Sequence, residues 1–84
     1  MKVLLFAQTR EATGGRAVLR RDPPPGDPSL AGLLRELEEE FPALRPLLPR
    51  CRFAVNGTYL EGAAARCALA PTDEIAILPP YSGG

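Results

Sequence analysis

The residues of this sequence with the plainest chemical consequence are the last two. Gly83-Gly84 closes the chain behind Pro79-Pro80-Tyr81-Ser82. Glycine has no side chain, so the final backbone atoms can enter a channel too narrow for any other residue. Pro79-Pro80 favours an extended polyproline shape and holds the following residues away from the body. At about 3.3 Å per residue, residues 79–84 can reach roughly 20 Å into a partner. A terminal carboxyl has a reference pKa of about 3.5, so at neutral pH it is a carboxylate and a poor electrophile. Acyl chemistry at Gly84 therefore requires prior activation by a partner that uses ATP. The bland alternative is a frayed terminus that happens to end in two glycines. A strand running straight into the tail favours the functional reading.

Other candidates for chemistry are few. The chain has two cysteines, Cys51 and Cys67, and no histidine. No His/Cys cluster has ligand spacing, so no metal site is expected. Free intracellular thiols are expected in preference to a Cys51–Cys67 disulfide, which points to the cytoplasm. The usual general base of nucleophilic catalysis is missing. Carboxylates could replace it, but Glu36, Glu38, Glu39 and Glu40 read as the solvated face of a helix. The chain is thus expected to be no enzyme on its own and to bind no cofactor, with ATP used by an activating partner.

These residues sit in a chain of 84, long enough for one domain. Ten acidic and ten basic residues balance, which leaves no basic excess for nucleic acid. No apolar run approaches the roughly 18 residues that span a membrane. The short run Val3 to Ala7 is too brief for a secretory leader and reads as a strand.

Met1 to Gln8 is expected to be the first strand, with Val3, Leu5 and Ala7 on one face and Leu4 and Phe6 on the other. Thr13-Gly14-Gly15 turns the chain into a second strand over Arg16 to Arg21. Asp22 to Asp27, with three consecutive prolines, can only be a connector. A helix follows, capped either by Asp27 with Pro28 in the first turn or by Ser29. Leu30, Leu33, Leu34, Leu37 and Phe41 form one apolar stripe, worth roughly 10 kcal/mol gross when buried. Pro42 ends the helix, and Leu44, Leu47 and Leu48 suggest a short helical turn. Cys51 to Val55 is a strand with Cys51, Phe53 and Val55 inward. Asn56-Gly57 is a two-residue hairpin signal, and Thr58 to Leu60 is the return strand. Gly62 to Ala70 is a small-residue connector, Pro71-Thr72-Asp73 a turn, and Glu74 to Leu78 the last strand. The order β-β-α-β-β-β with one principal helix predicts an α+β protein. Its expected form is the β-grasp, or ubiquitin-like, roll: a mixed four- to five-stranded sheet packed on one main helix. Residues 1–78 form the domain and residues 79–84 the extended tail.

Four segments now carry a resemblance. They are Leu4-Leu5-Phe6-Ala7-Gln8-Thr9-Arg10-Glu11, Phe53-Ala54-Val55-Asn56, Asp73-Glu74-Ile75-Ala76-Ile77-Leu78-Pro79-Pro80 and Ser82-Gly83-Gly84. Together they resemble the molybdopterin synthase small subunits (the MoaD family) from residue 2 to residue 84. Tyr81 departs from the smaller aliphatic residue expected there. The resemblance implies a cycle. A ubiquitin-activating-type (MoeB-like) adenylyltransferase would adenylate Gly84, and a sulfurtransferase would supply sulfur to make a thiocarboxylate. The tail, Pro79 through Gly84, would then enter the large (MoaE-like) subunit and give its sulfur to cyclic pyranopterin monophosphate. Two transfers build the molybdopterin dithiolene, in an assembly of two small and two large subunits.

The strand parity places Glu74, Ala76 and Leu78 away from the core. Phe6, Tyr59 and Leu78 are then expected to form an apolar patch at the base of the tail, with Arg10 at its rim. The resemblance implies partner contacts at Arg10, Tyr59 and Leu78. Two other functions remain open: a sulfur carrier of a thiamine-type pathway, and a ubiquitin-like modifier joined to lysines of other proteins.

Overall fold

The computed structural model describes residues 1–61 and 66–80. The tail residues Tyr81, Ser82, Gly83 and Gly84 and the stretch Gly62 to Ala65 of the small-residue connector lie outside the described residues. The elements are β1 (Lys2–Leu5), α1 (Ala7–Ala12), β2 (Val18–Arg20), α2 (Leu30–Glu40), β3 (Arg52–Val55), β4 (Thr58–Tyr59) and β5 (Glu74–Leu78). Two single 3₁₀ turns, Pro42–Leu44 and Leu48–Arg50, lie between α2 and β3.

The five strands form one sheet in the order β2-β1-β5-β3-β4. β1 runs parallel to β5 in the middle, and the other pairs are antiparallel. The expected roll is therefore the one that forms. A parallel pair needs a long crossover, and here nearly the whole chain between β1 and β5 supplies it. The inner face of the sheet presents Val3, Leu5, Leu19, Ile75 and Ile77, all buried. Leu30, Leu33 and Leu37 of α2 are buried in the same cluster, with Leu34 and Phe41 packed at its margin. Leu44, Leu48 and Leu69 complete that core.

Ser29 caps α2: its hydroxyl accepts from the Gly32 amide at 3.3 Å. Of the two caps the sequence allowed, Ser29 is used. Asp27 serves one step further out, accepting from the Ser29 hydroxyl at 2.6 Å and from Arg35 at 2.5 Å. Arg21 of the segment after β2 reaches across to Glu36 and Glu40, at 3.1 and 2.6 Å, and ties the sheet to the outer flank of α2. The hairpin turn is as its residues require, with φ of 51° at Asn56 and 82° at Gly57.

The first strand differs from expectation. It stops at Leu5, and the chain turns at once into α1 rather than continuing extended to Gln8. Alternating parity suited a strand through Ala7, but Ala7 takes a left-handed φ of 46°. Thr9 is the cause that the structure displays. Its hydroxyl accepts from the Phe6 amide at 3.0 Å and donates to the Phe6 carbonyl at 2.7 Å. Those bonds close a turn on Phe6 and satisfy a side chain that is fully buried. Thr13, also buried, donates to the carbonyls of Arg10 and Arg16 and shapes the exit from α1. The second strand is correspondingly short, Val18–Arg20 instead of Arg16 to Arg21.

Candidate functional site

β5 ends at Leu78 and continues as Pro79 and Pro80, both half-buried, into the tail. What the structure contributes to the site is the surface around this exit. Inward residues of β5 are Ile75 and Ile77, so Ala76 and Leu78 face the other side.

The strand registers assemble that outer face. Val18 pairs with Leu4, Leu4 with Ala76, Ala76 with Ala54, and Ala54 with Tyr59. One apolar residue from each of the five strands thus lies in a single row across the sheet. At about 4.8 Å between strands, the row is roughly 19 Å long. Its two ends stand open, Val18 at 44% exposure and Tyr59 at 54%. Leu78 lies one step along β5 toward the tail, opposite Arg52 of β3. Phe6, 43% exposed, follows Leu5, which is paired with Ile77, and so flanks the same exit.

The expected patch residues Phe6, Tyr59 and Leu78 are therefore all on the open side of the sheet, Leu78 only partly exposed. Arg10 lies on α1, exposed, with its Nε donating to the Gly15 carbonyl at 3.3 Å. That bond ties it to the loop after α1. Two contributors to this face escaped the sequence reading. Val18, paired with Leu4, extends it to the far edge, and Arg52 stands inside it. The Arg52 guanidinium lies 4.8 Å from the centroid of the Tyr59 ring, within the range of a cation–π contact. Alternation in Arg52 to Val55 already implied that Arg52 points outward. Nothing local to it reveals that Leu78 and Tyr59 are its neighbours, because both come from other strands.

At the other end of the same strands a concavity of about 620 Å³ opens between Met1, Lys2, Arg21 and Asp73. It lies beside the start of β5 and away from the tail exit. Asn56 fastens the β3–β4 turn to that end of β5. Its side chain donates to Asp73 at 2.9 Å and accepts from the Glu74 amide at 3.0 Å. The Ala70 amide and the Asn56 side chain together hold the Asp73 carboxyl below the usual carboxylate range. The Ser29 hydroxyl and amide, helped by Arg35, do the same for Asp27.

Both cysteines are free thiols. Cys51 is half-buried, donates from Sγ to the Leu47 carbonyl at 3.2 Å, and packs against the core. Burial raises its pKa and so disfavours the nucleophilic thiolate. Among the described residues, no three His, Cys, Asp or Glu side chains converge as metal ligands, and no helix is long and apolar enough to cross a membrane.

A mixed sheet backed by one main helix, its last strand central, parallel to the first and leading directly into Pro79-Pro80, defines a ubiquitin-like β-grasp protein. Known proteins narrow the class. The ThiS family matches residues 3–84, and the chain belongs to that family. It is similar to the molybdopterin synthase sulfur carrier subunit of Homo sapiens, at 36% identity over 84 residues, covering 100% of this chain and 93% of that one. The corresponding subunit of Chlamydomonas reinhardtii is 38% identical over 85 residues, covering 100% and 98%. Among solved structures, the small archaeal modifier protein 1 of Methanosarcina acetivorans is similar with a TM-score of 0.79 and 28% identity, covering 99% of this chain and 94% of that one.

Proposed function

We propose that this chain is the sulfur carrier subunit of a molybdopterin synthase, acting in the cytoplasm with the Gly84 carboxylate as its covalent site. The observation that carries the reading is the end-to-end likeness to curated carriers of that name, in a fold whose central strand feeds the Gly83-Gly84 tail. In the proposed cycle a carboxylate oxygen of Gly84 attacks the α-phosphorus of ATP, and pyrophosphate leaves. The terminal sulfur of a sulfurtransferase persulfide then displaces AMP from the acyl-adenylate to give an acyl disulfide. A thiol cleaves the S–S bond, leaving a thiocarboxylate on Gly84 and a disulfide on the donor side. Within the large subunit that sulfur bonds to cyclic pyranopterin monophosphate, and water cleaves the acyl–sulfur bond, so that the sulfur stays on the substrate and the tail returns to a carboxylate. Two rounds complete the dithiolene. The small chain supplies the sulfur and a docking face, and the catalytic side chains belong to its partners.

The test is incubation with the activating enzyme, ATP and a sulfide source, followed by mass spectrometry. A single oxygen-for-sulfur exchange on the intact chain is expected. Deleting Gly84, or adding one residue after it, should abolish that exchange while the circular dichroism spectrum stays unchanged. Normal sulfur transfer by the Gly84-deleted chain would refute the assignment.

A second reading has an observation behind it. The structural likeness to a small archaeal modifier protein favours conjugation of Gly84 to lysines of other proteins. Lys2 is the only lysine in this chain, so branched self-chains would have one side-chain acceptor. In the same incubation, with cell extract added, a modifier would appear as adducts on other proteins and a carrier as the exchanged free chain.

A further inference from the structure

Arg52 has no part in the cycle above, yet its position constrains the partner. Tyr59 and Leu78 belong to the apolar face at the tail exit. Arg52 lies between them: it is paired with Leu78 on one side and its guanidinium is stacked on the Tyr59 ring on the other. A surface that covers Tyr59 and Leu78 must also cover Arg52. Among the described residues, no carboxylate comes within ion-pair distance of it; the ion pairs there are made by Arg21 and Arg35. Stacking on a ring offsets part of the desolvation of a guanidinium but leaves its in-plane N–H donors unsatisfied. A buried charge without a counter-ion is strongly unfavourable. The partner must therefore bring the anion.

We propose that Arg52 is a specificity-determining contact, a guanidinium preset over Tyr59 that receives a carboxylate from the large subunit as that subunit takes the tail. This rests on the carrier reading. The anion belongs to the partner's surface rather than to the reacting end, because six residues follow Leu78, a length that can span roughly 20 Å. A carboxylate suits the planar fork of the guanidinium, whose paired N–H groups meet two coplanar oxygens. Lysine, a point charge without the planar fork or the stacked geometry, would fill the place less well.

Calorimetric titration of the full chain against the large subunit of the same source, at several salt concentrations, tests this. The wild-type chain should bind, with an affinity that falls as salt rises. Arg52→Ala should bind roughly tenfold more weakly and with a flatter salt dependence, and Arg52→Glu more weakly still. Arg52→Lys should fall between wild type and alanine. Arg45→Ala, an exposed arginine beside the 3₁₀ turn that follows α2, should match wild type. All variants should melt as wild type, because Arg52 is exposed and outside the core. Wild-type binding with unchanged affinity and salt dependence in both Arg52→Ala and Arg52→Glu would overturn the inference and leave the carrier reading standing. Failure of the wild-type chain to bind the large subunit would instead remove the carrier reading, and this inference with it.

Discussion

Replacing Gly32 with alanine should destabilise the domain, although alanine is the better helix former. Gly32 is buried in the first turn of α2. A Cβ placed there would lie 1.9 Å from the Asp27 carbonyl oxygen and 2.8 Å from that residue's carbonyl carbon and its Cβ. Ordinary carbon contacts are about 3.5–4.0 Å. The obstacle is backbone, and it is fastened: Asp27 accepts from the Ser29 amide at 3.2 Å, from the Ser29 hydroxyl and from Arg35. For the methyl group to fit, the segment before the helix must withdraw and take the Ser29 cap with it. Overpacking costs about 1–3 kcal/mol, and loss of a cap about 1 kcal/mol. The gain in helix propensity returns about 1 kcal/mol. The net is a loss of about 2 kcal/mol, which in a domain of this size lowers Tm by roughly 8–16 °C. Gly26→Ala is the internal comparison, because a Cβ there meets nothing within 4 Å. That variant should be neutral or slightly stabilising. Thermal melts followed by circular dichroism decide the matter. A Gly32→Ala protein that melts at or above wild type would refute the steric argument.

Two further outcomes follow from the same geometry. Leu78→Asp should keep the fold, since Leu78 is on the open side of the sheet and only partly buried. It should weaken binding to both the activating enzyme and the large subunit by at least roughly tenfold, by placing an unpaired carboxylate in each interface; wild-type affinity for both would show that the docking face is elsewhere. Acid should destabilise the fold through Asp27 and Asp73. Both carboxyls titrate below their ordinary range in the folded chain, so their contribution is present above the unfolded pKa of about 3.9 and is lost as pH falls through the lower folded values. Melting temperature should accordingly hold level from neutrality to about pH 5 and decline below about pH 4. Asp73→Asn should soften that decline, and an unaltered acid transition in this variant would exclude Asp73 as a contributor.

Much of the architecture is written in short stretches of chain. The apolar stripe from Leu30 to Phe41, stopped by Pro42, needs only the helical repeat to be read. Asn56-Gly57 needs only the positive φ of its turn, and Glu74 to Leu78 only strict alternation before Pro79-Pro80. In each case the deciding interactions span a few residues, so the sequence by itself determined these elements and their inward faces. Thr9 marks where that logic ended. Its hydroxyl closes a turn at Phe6 that hydrophobic parity does not register, and packing at a fully buried site lets Ala7 hold a left-handed φ. The pairing of β1 with β5 lay further out of reach. It joins segments about seventy residues apart, such as Val3 with Ile75, and only burial of both strands beneath α2 selects their register. That register alone aligns Val18, Leu4, Ala76, Ala54 and Tyr59 in one row and sets Arg52 between Leu78 and Tyr59. Side-chain parity tells each strand which face is outward; which outward residues become neighbours is settled by long-range packing, and the docking face is made of those neighbours.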